Sequence, residues 1–300
     1  MKKENLVLAG TNILNWKRQV ALLWSCCGTT KIKVRENRMK SNQISRRDSL
    51  RILGTGALGV MTFPAFSISG NQKHLITLSF DDGFEKSSIK TAEIYERYGL
   101  SSCINIIASA HQKKIGETNA YHHWPVGDFT LWNELKRRGH EIMPHSYRHA
   151  NLTEMPLEEA KLLVNRCIDV FDEELEGFTA RESVFNLPYN ASTPELEEWL
   201  RLKFRAIRTH GDHVNPLPYK GIFRLGCTSF GPDNIDSHLD ATINKFLEGP
   251  SGWLIYNTHG LDDEGWGPVS SGFLDELLDR LSGLDNVNMI PVIPALDLIE

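Results

Sequence analysis

Ser79-Phe80-Asp81-Asp82-Gly83 sets two adjacent carboxylates and a glycine at the end of a short apolar run, Leu75 to Phe80. Like charges side by side repel, and one becomes reluctant to ionise unless a cation or a proton separates their roles. A second polar cluster, His145-Ser146-Tyr147-Arg148-His149, follows another hydrophobic run that ends at Met143. One carboxylate and two imidazoles make a ligand set for a divalent metal, zinc first, with cobalt or nickel compatible. Asp82, His145 and His149 as ligands would leave positions open for a water and a carbonyl oxygen, which is how catalytic sites differ from closed structural ones. Water on such an ion loses its proton readily, and an uncoordinated carboxylate beside it, Asp81, is placed to take that proton. An isolated Asp-Asp-Gly is most often a solvated turn; the two histidines are what turn it into a site. His259 is the candidate to protonate a leaving group, because imidazolium is the side chain whose acidity lies nearest neutral pH.

The elements that must carry these groups alternate along the chain. Strands are predicted at Leu75 to Phe80, Cys103 to Ala108, Glu141 to Met143, Val184 to Phe185, Phe204 to Ile207, Ile222 to Leu225, Trp253 to Asn257 and Val287 to Ile293. Helices are predicted near Ser88 to Tyr98, Leu131 to Arg138, Pro156 to Leu175, from Thr193-Pro194 onward and at Gly272 to Leu281. In the clearest of them Ala160, Leu163, Cys167, Val170 and Phe171 share one face. Thr193 is an N-cap followed by proline at the first helical position. His210 to Pro232, rich in Gly and Pro, reads as a long loop around one strand. Repeated strand-helix units with buried strands indicate an α/β chain with a parallel sheet, and about seven of them in one domain indicate a closed or nearly closed barrel. Chemistry gathers at the carboxyl ends of such strands, and Asp81, Asp82, His145, His149, Tyr189 and His259 each fall at or just after a predicted strand end.

Charge and composition narrow the partners. Residues 1 to 51 hold 12 Lys and Arg against 3 Asp and Glu, which leaves 21 against 35 and a net charge of −14 for the remainder. A body that acidic is a poor nucleic-acid binder. Ser45-Arg46-Arg47-Asp48-Ser49-Leu50 before a glycine-containing apolar run from Ile52 to Phe66 is the twin-arginine export pattern. The run is too short and too broken to span a membrane, and Ala65-Phe66-Ser67 offers a cleavage site. The expected organisation is therefore an upstream extension at 1–38, a signal at 39–70, and a catalytic domain at 71–300. The product is expected outside the cytoplasm, periplasmic or extracellular, meeting the membrane only during export. Cys103, Cys167 and Cys227 are spaced too widely for a zinc knuckle and read as core thiols.

From about Leu75 to the C-terminus the ordered motifs resemble the polysaccharide deacetylases of the NodB-homology group, carbohydrate esterase family 4. Ser79 to Gly83 resembles the first motif, in which the first Asp is the general base and the second binds metal. His145 to His149 resembles the second, whose histidines complete the metal site. Leu187-Pro188-Tyr189 is similar to the end of the third, and Ile255 to Gly260 to the fifth, whose histidine is the general acid. The resemblance implies a distorted (β/α)7 barrel, with Asp81 as base, His259 as acid, and the Tyr189 backbone N–H joining the metal in stabilising an oxyanion. Trp266, in the Gly-rich loop after His259, is the candidate to stack on a sugar ring.

This chain departs from the pattern at Asn186, where the family usually has an arginine bracing the base; Arg181 or Arg208 could substitute. Asp212, Asp262 and Asp263 are the candidates to tune His259, and no fourth motif is recognisable around His210 to Pro216. The expected activity is removal of acetyl groups from a polysaccharide, foremost the N-acetyl of an amino sugar. The alternatives are an O-acetyl esterase of the xylan type, another small-amide hydrolase, or a carbohydrate-binding protein that has lost turnover.

Overall fold

The computed structural model describes residues 74–112, 124–211 and 214–299. The expected extension and signal, 1–38 and 39–70, lie outside the described residues, as does Asp212.

Eight parallel strands, β1 (His74–Phe80), β2 (Cys103–Ile106), β3 (Glu141–Pro144), β4 (Val184–Asn186), β5 (Ala206–His210), β6 (Arg224–Ser229), β7 (Gly252–Thr258) and β8 (Val287–Met289), alternate with helices. The helices are α1 (Glu85–Arg97), α2 (Phe129–Arg137), α3 (Leu157–Glu174), α4 (Pro194–Leu200), α5 (Ile235–Glu248), α6 (Ser271–Ser282) and α7 (Val292–Leu296). The hydrogen-bonded order is β3-β2-β1-β7-β6-β5-β4. β8 shares an edge of β1 with β2, pairing His74 to Ile76 while β2 takes Ser79 and Phe80. The two ends, β3 and β4, meet through side chains: the Val184 N–H donates to Met143 Sδ at 3.5 Å and Asn186 Nδ2 to the Pro144 carbonyl at 3.4 Å. The result is the nearly closed, distorted barrel that the alternation predicts.

Strand parity then sorts the side chains. Ile76, Leu78 and Phe80 face α1, α5 and α6, in a cluster with Ile94, Leu239, Ile243, Leu274 and Leu278. Ile104, Ile142, Phe185 and Ile207 face α2, α3 and α4, packing with Trp132, Leu135, Val164 and Phe171. Burying a side chain of this kind stabilises by about 1.5–3 kcal/mol relative to exposure. Residues of the other parity, Leu75, Cys103, Met143, Val184, Ala206, Leu225, Trp253 and Ile255, form a separate apolar cluster inside the ring. Two residues further along, the same inward rows turn polar. Asn105 follows Cys103, Asn186 follows Val184, and Arg208 follows Ala206, while Thr77, Ser79 and Asp81 succeed Leu75. The ring is therefore oily below and polar at its carboxyl end.

Caps agree with sequence expectation at α4, where Thr193 Oγ1 accepts the Leu196 N–H, and Asp128 does the same for α2. Other elements differ from it, β6 among them, which runs Arg224–Ser229 where the strand is predicted at Ile222 to Leu225. α5 was not anticipated, although Ile235, Leu239, Ile243 and Phe246 form its buried stripe at helical spacing. β5 begins at Ala206 because the Phe204 N–H still bonds back to the Leu200 carbonyl at the end of α4. The last strand stops at Met289, since Pro291 opens α7. Among the described residues, Cys103, Cys167 and Cys227 are buried thiols outside any disulfide. Among the described residues, no helix is long and apolar enough to cross a membrane.

Candidate active site

β1 ends by delivering Asp81 and Asp82 to the mouth of the ring, where the Asp81 N–H bonds the Thr258 carbonyl of β7 at 2.9 Å. Asp82 has φ +73 and Gly83 φ +74, a sharp left-handed turn out of the strand. A Cβ on Gly83 would lie 3.0 Å from Ile106 and 3.1 Å from Trp132, a tight fit that adds to the conformational preference for glycine there. Ser146, His149 and Tyr189 are also left-handed, at φ +70, +56 and +56. Each such residue costs on the order of 1–3 kcal/mol and persists where surrounding structure holds it, typically at functional sites.

Asp82, His145 and His149 converge: one ligand atom from each lies within 4.8 Å of the others. His149 Nε2 is 3.4 Å and His145 Nε2 3.7 Å from Asp82 Oδ1. The Asn186 carbonyl accepts from His145 Nδ1 at 2.9 Å, which places the proton on Nδ1 and leaves Nε2 a lone pair aimed inward. Among the described residues, both Asp82 oxygens and His145 Nε2 are buried without hydrogen-bond partners. Burial pushes the His145 imidazole down to about 4, so it is neutral and able to ligate at ordinary pH. Buried acceptors converging with no donor among them fit a cation.

Asp81 is treated differently. Arg208 grips it with both arms, Nη2 to Oδ2 at 2.6 Å and Nη1 to Oδ1 at 3.0 Å, and Asn105 Nδ2 adds a bond to Oδ1 at 2.7 Å. Asn186 Nδ2 in turn donates to Asn105 Oδ1 at 2.8 Å. Burial alone would raise the Asp81 carboxyl, but Arg208, with His145 and His259 behind it, outweighs burial and holds it well below the usual carboxylate range. Of the two arginines left open by the sequence, Arg208 of β5 is the one in contact; Arg181 instead donates to the Arg201 carbonyl at the surface. Asn186 thus acts twice, through its carbonyl on His145 and its amide on Asn105.

His259 stands just beyond β7. Burial lowers its pKa against the opposing pull of Asp82 and Asp81. Its Nδ1 is buried with no hydrogen-bond partner among the described residues. Asp262 is turned elsewhere, accepting the Ser271 N–H, and Asp263 is exposed. Trp266 meets the His259 ring edge-on, with centroids 5.3 Å apart, and stays 36 % exposed. Tyr189 lies on the opposite ligand, 4.9 Å from the His149 ring and 62 % exposed. Asn105 was missed by sequence reading; a lone amide on the inward row of an apolar strand was its signal.

Residues 69–204 match the sequence family described as polysaccharide deacetylase. The matched segment contains Asp81, Asp82, His145, His149 and Tyr189, in agreement with the resemblance to the NodB-homology deacetylases carried by the sequence motifs. Its fold is similar to that of a Mycobacterium smegmatis protein designated a polysaccharide deacetylase, at 15 % identity and TM-score 0.58, covering 76 % of this chain and 91 % of that one. It is similar to a family 4 acetyl xylan esterase from Clostridium thermocellum in complex with a cobalt ion, at 14 % identity and TM-score 0.52, covering 75 % and 91 %. It is also similar to the D285S mutant of the peptidoglycan deacetylase PdaC from Bacillus subtilis, at 18 % identity and TM-score 0.50, covering 77 % and 93 %. No curated protein sequence matches.

Proposed function

We propose that this chain is an exported, metal-dependent deacetylase that removes N-acetyl groups from an amino-sugar polysaccharide. The observation that carries this reading is the contrast between Asp82, whose two buried oxygens and the facing His145 Nε2 have no hydrogen-bond partner among the described residues while His149 Nε2 closes in at 3.4 Å, and Asp81, whose carboxylate is fully held. Asp82, His145 and His149 would hold the cation, zinc before cobalt or nickel. Such an ion, when bound, acidifies a water and polarises an acetyl carbonyl.

The remaining work falls to the chain's own groups. Asp81 Oδ1 already accepts two hydrogen bonds and Oδ2 one, so Oδ2 keeps the lone pair that receives the proton of the attacking water. Arg208 and Asn105 keep that oxygen pointed across the mouth, where it lies 3.6 Å from His145 Nε2. The Tyr189 backbone N–H supplies the oxyanion donor. His259, made a stronger acid by burial, hands its proton to the leaving amine. Tyr189 and Trp266 flank the site as exposed rings against which a sugar can lie. A binder that has lost turnover has no use for a bidentate arginine on Asp81, which argues against that reading.

Protein stripped of metal and reloaded with zinc, cobalt or nickel should release acetate from chitin oligomers or peptidoglycan. Release from acetylated xylan alone would replace this reading with an O-acetyl esterase, and no release from any polymer with sugar binding intact would replace it with a binder.

A further inference from the structure

Glu264, in the loop between β7 and α6, is only 2 % exposed. Its Oε2 accepts the Ser87 backbone N–H at 2.8 Å and the Ser87 hydroxyl at 2.9 Å, while Oε1 is buried without a hydrogen-bond partner among the described residues. Ser87 is in the first turn of α1, where the N-cap residue, Phe84, makes no side-chain cap. First-turn donors need an acceptor from outside the helix and favour an acidic one. Glu264 provides it from 177 residues away. The Ser87 oxygen also accepts the Leu261 N–H at 2.9 Å, so one serine fixes both ends of the turn that the Glu264 N–H closes on the Leu261 carbonyl.

That turn is wrapped on His259. A Cβ on Gly265 would lie 1.6 Å from the His259 carbonyl oxygen, and its φ is +103, so the backbone closes there only because the residue is glycine. Trp266 then crosses the His259 ring at 90°. Among the described residues no carboxylate holds His259 Nδ1, which leaves the imidazole's direction to this loop. The helix to which the loop is tied begins two residues after Gly83.

We propose that Glu264 is a positioning residue for His259: by clamping the loop onto the first turn of α1, it sets the direction from which the imidazole faces the Asp81-Asp82 pair. This rests on the acid role given to His259 above. Among the described residues, the side-chain hydrogen bonds of Glu264 go to Ser87 and to none of Asp82, His145 and His149. Loss of the clamp should therefore misplace the acid and spare the metal.

The test uses the full chain loaded with zinc, with Glu264→Ala, Glu264→Gln and Ser87→Ala. Glu264→Ala should lower kcat about 30-fold with KM nearly unchanged and zinc content intact, the scale expected when a reacting group is displaced by a fraction of an ångström. Glu264→Gln keeps an oxygen for both Ser87 donors and should stay within about threefold of wild type, with Ser87→Ala between the two. In metal-free protein, the nuclear Overhauser contact between the His259 and Trp266 rings should be present in wild type and Glu264→Gln and lost in Glu264→Ala. Unchanged kcat in Glu264→Ala would overturn the proposal, and so would loss of zinc or equal damage by Glu264→Gln. The ring contact needs no turnover: if wild type proved inactive yet the contact followed the expected pattern, the deacetylase reading would fail and the positioning role would stand.

Discussion

Asp81 and Asp82 are chain neighbours, both buried, at 3 % and 2 % exposure, and they are treated in opposite ways. Asp81 takes three hydrogen bonds from two side chains, one of them a guanidinium. Asp82 takes none on either oxygen among the described residues and faces two imidazoles instead. A buried carboxylate with no donor is costly in a finished protein interior. The contrast separates a group the protein stabilises for itself from a group left open to something that is not protein. The left-handed turn at Asp82 makes the separation possible, since by strand parity the second acid would otherwise continue the outward row of Leu78 and Phe80.

The contrast breaks most visibly on the open side. Asp82→Ala or His145→Ala should cut zinc content from one per chain to none and lower acetate release at least about a thousandfold, read by elemental analysis and a coupled acetate assay. Asp82→Ala that still bound stoichiometric zinc would erase the distinction. On the closed side the larger effect should be on folding. Arg208→Met leaves the Asp81 charge buried and uncompensated, and should destabilise by about 3–5 kcal/mol in urea titration. Adding Asp81→Asn to Arg208→Met should recover most of that loss while activity stays absent.

Much of the open side was legible in the sequence, because its residues come as two compact motifs whose chemistry is visible in one dimension. Asp81-Asp82-Gly83 and His145 to His149 announce themselves by type and spacing, and the alternation of strands placed both at one end of a barrel. The closed side is assembled from single residues on three strands. Arg208 reaches Asp81 only because Ala206 and Arg208 share the inward parity of β5, and Asn105 only because it follows Cys103 on β2. Ending the predicted strand at Ile207, where β5 runs on to His210, leaves Arg208 outside it and gives no basis for choosing Arg208 over Arg181. Asn186, which looked like a loss at the motif position, joins the two sides through opposite ends of one residue. Glu264 gave no signal, since its partner lies at the start of a helix 177 positions earlier.

Two smaller effects sharpen the comparison. In metal-free protein, His145 is neutral when folded down to about 4 but protonates near 6.5 when unfolded. Its contribution is complete above 6.5 and is lost as pH falls toward 4, on the order of 3 kcal/mol by linkage. The stability of the apoprotein, followed by urea midpoint, should therefore fall between pH 6.5 and pH 4, and saturating zinc at pH 6.5 should raise it. Asn186→Ala removes the amide behind Asn105 but keeps the carbonyl on His145. It should cost about 1–3 kcal/mol and lower kcat roughly tenfold with zinc content unchanged. Zinc loss in that variant would mean that the two sides are not separable.

The most direct measurement is anomalous diffraction at the zinc edge from crystals of the zinc-loaded protein. A single peak is expected about 2.0–2.2 Å from a carboxylate oxygen of Asp82 and from Nε2 of both His145 and His149, with Asp81 still gripped by Arg208 and outside the coordination sphere. Zinc bound by Asp81 in place of Asp82, or bound away from the two imidazoles, would contradict the division of roles between the paired acids.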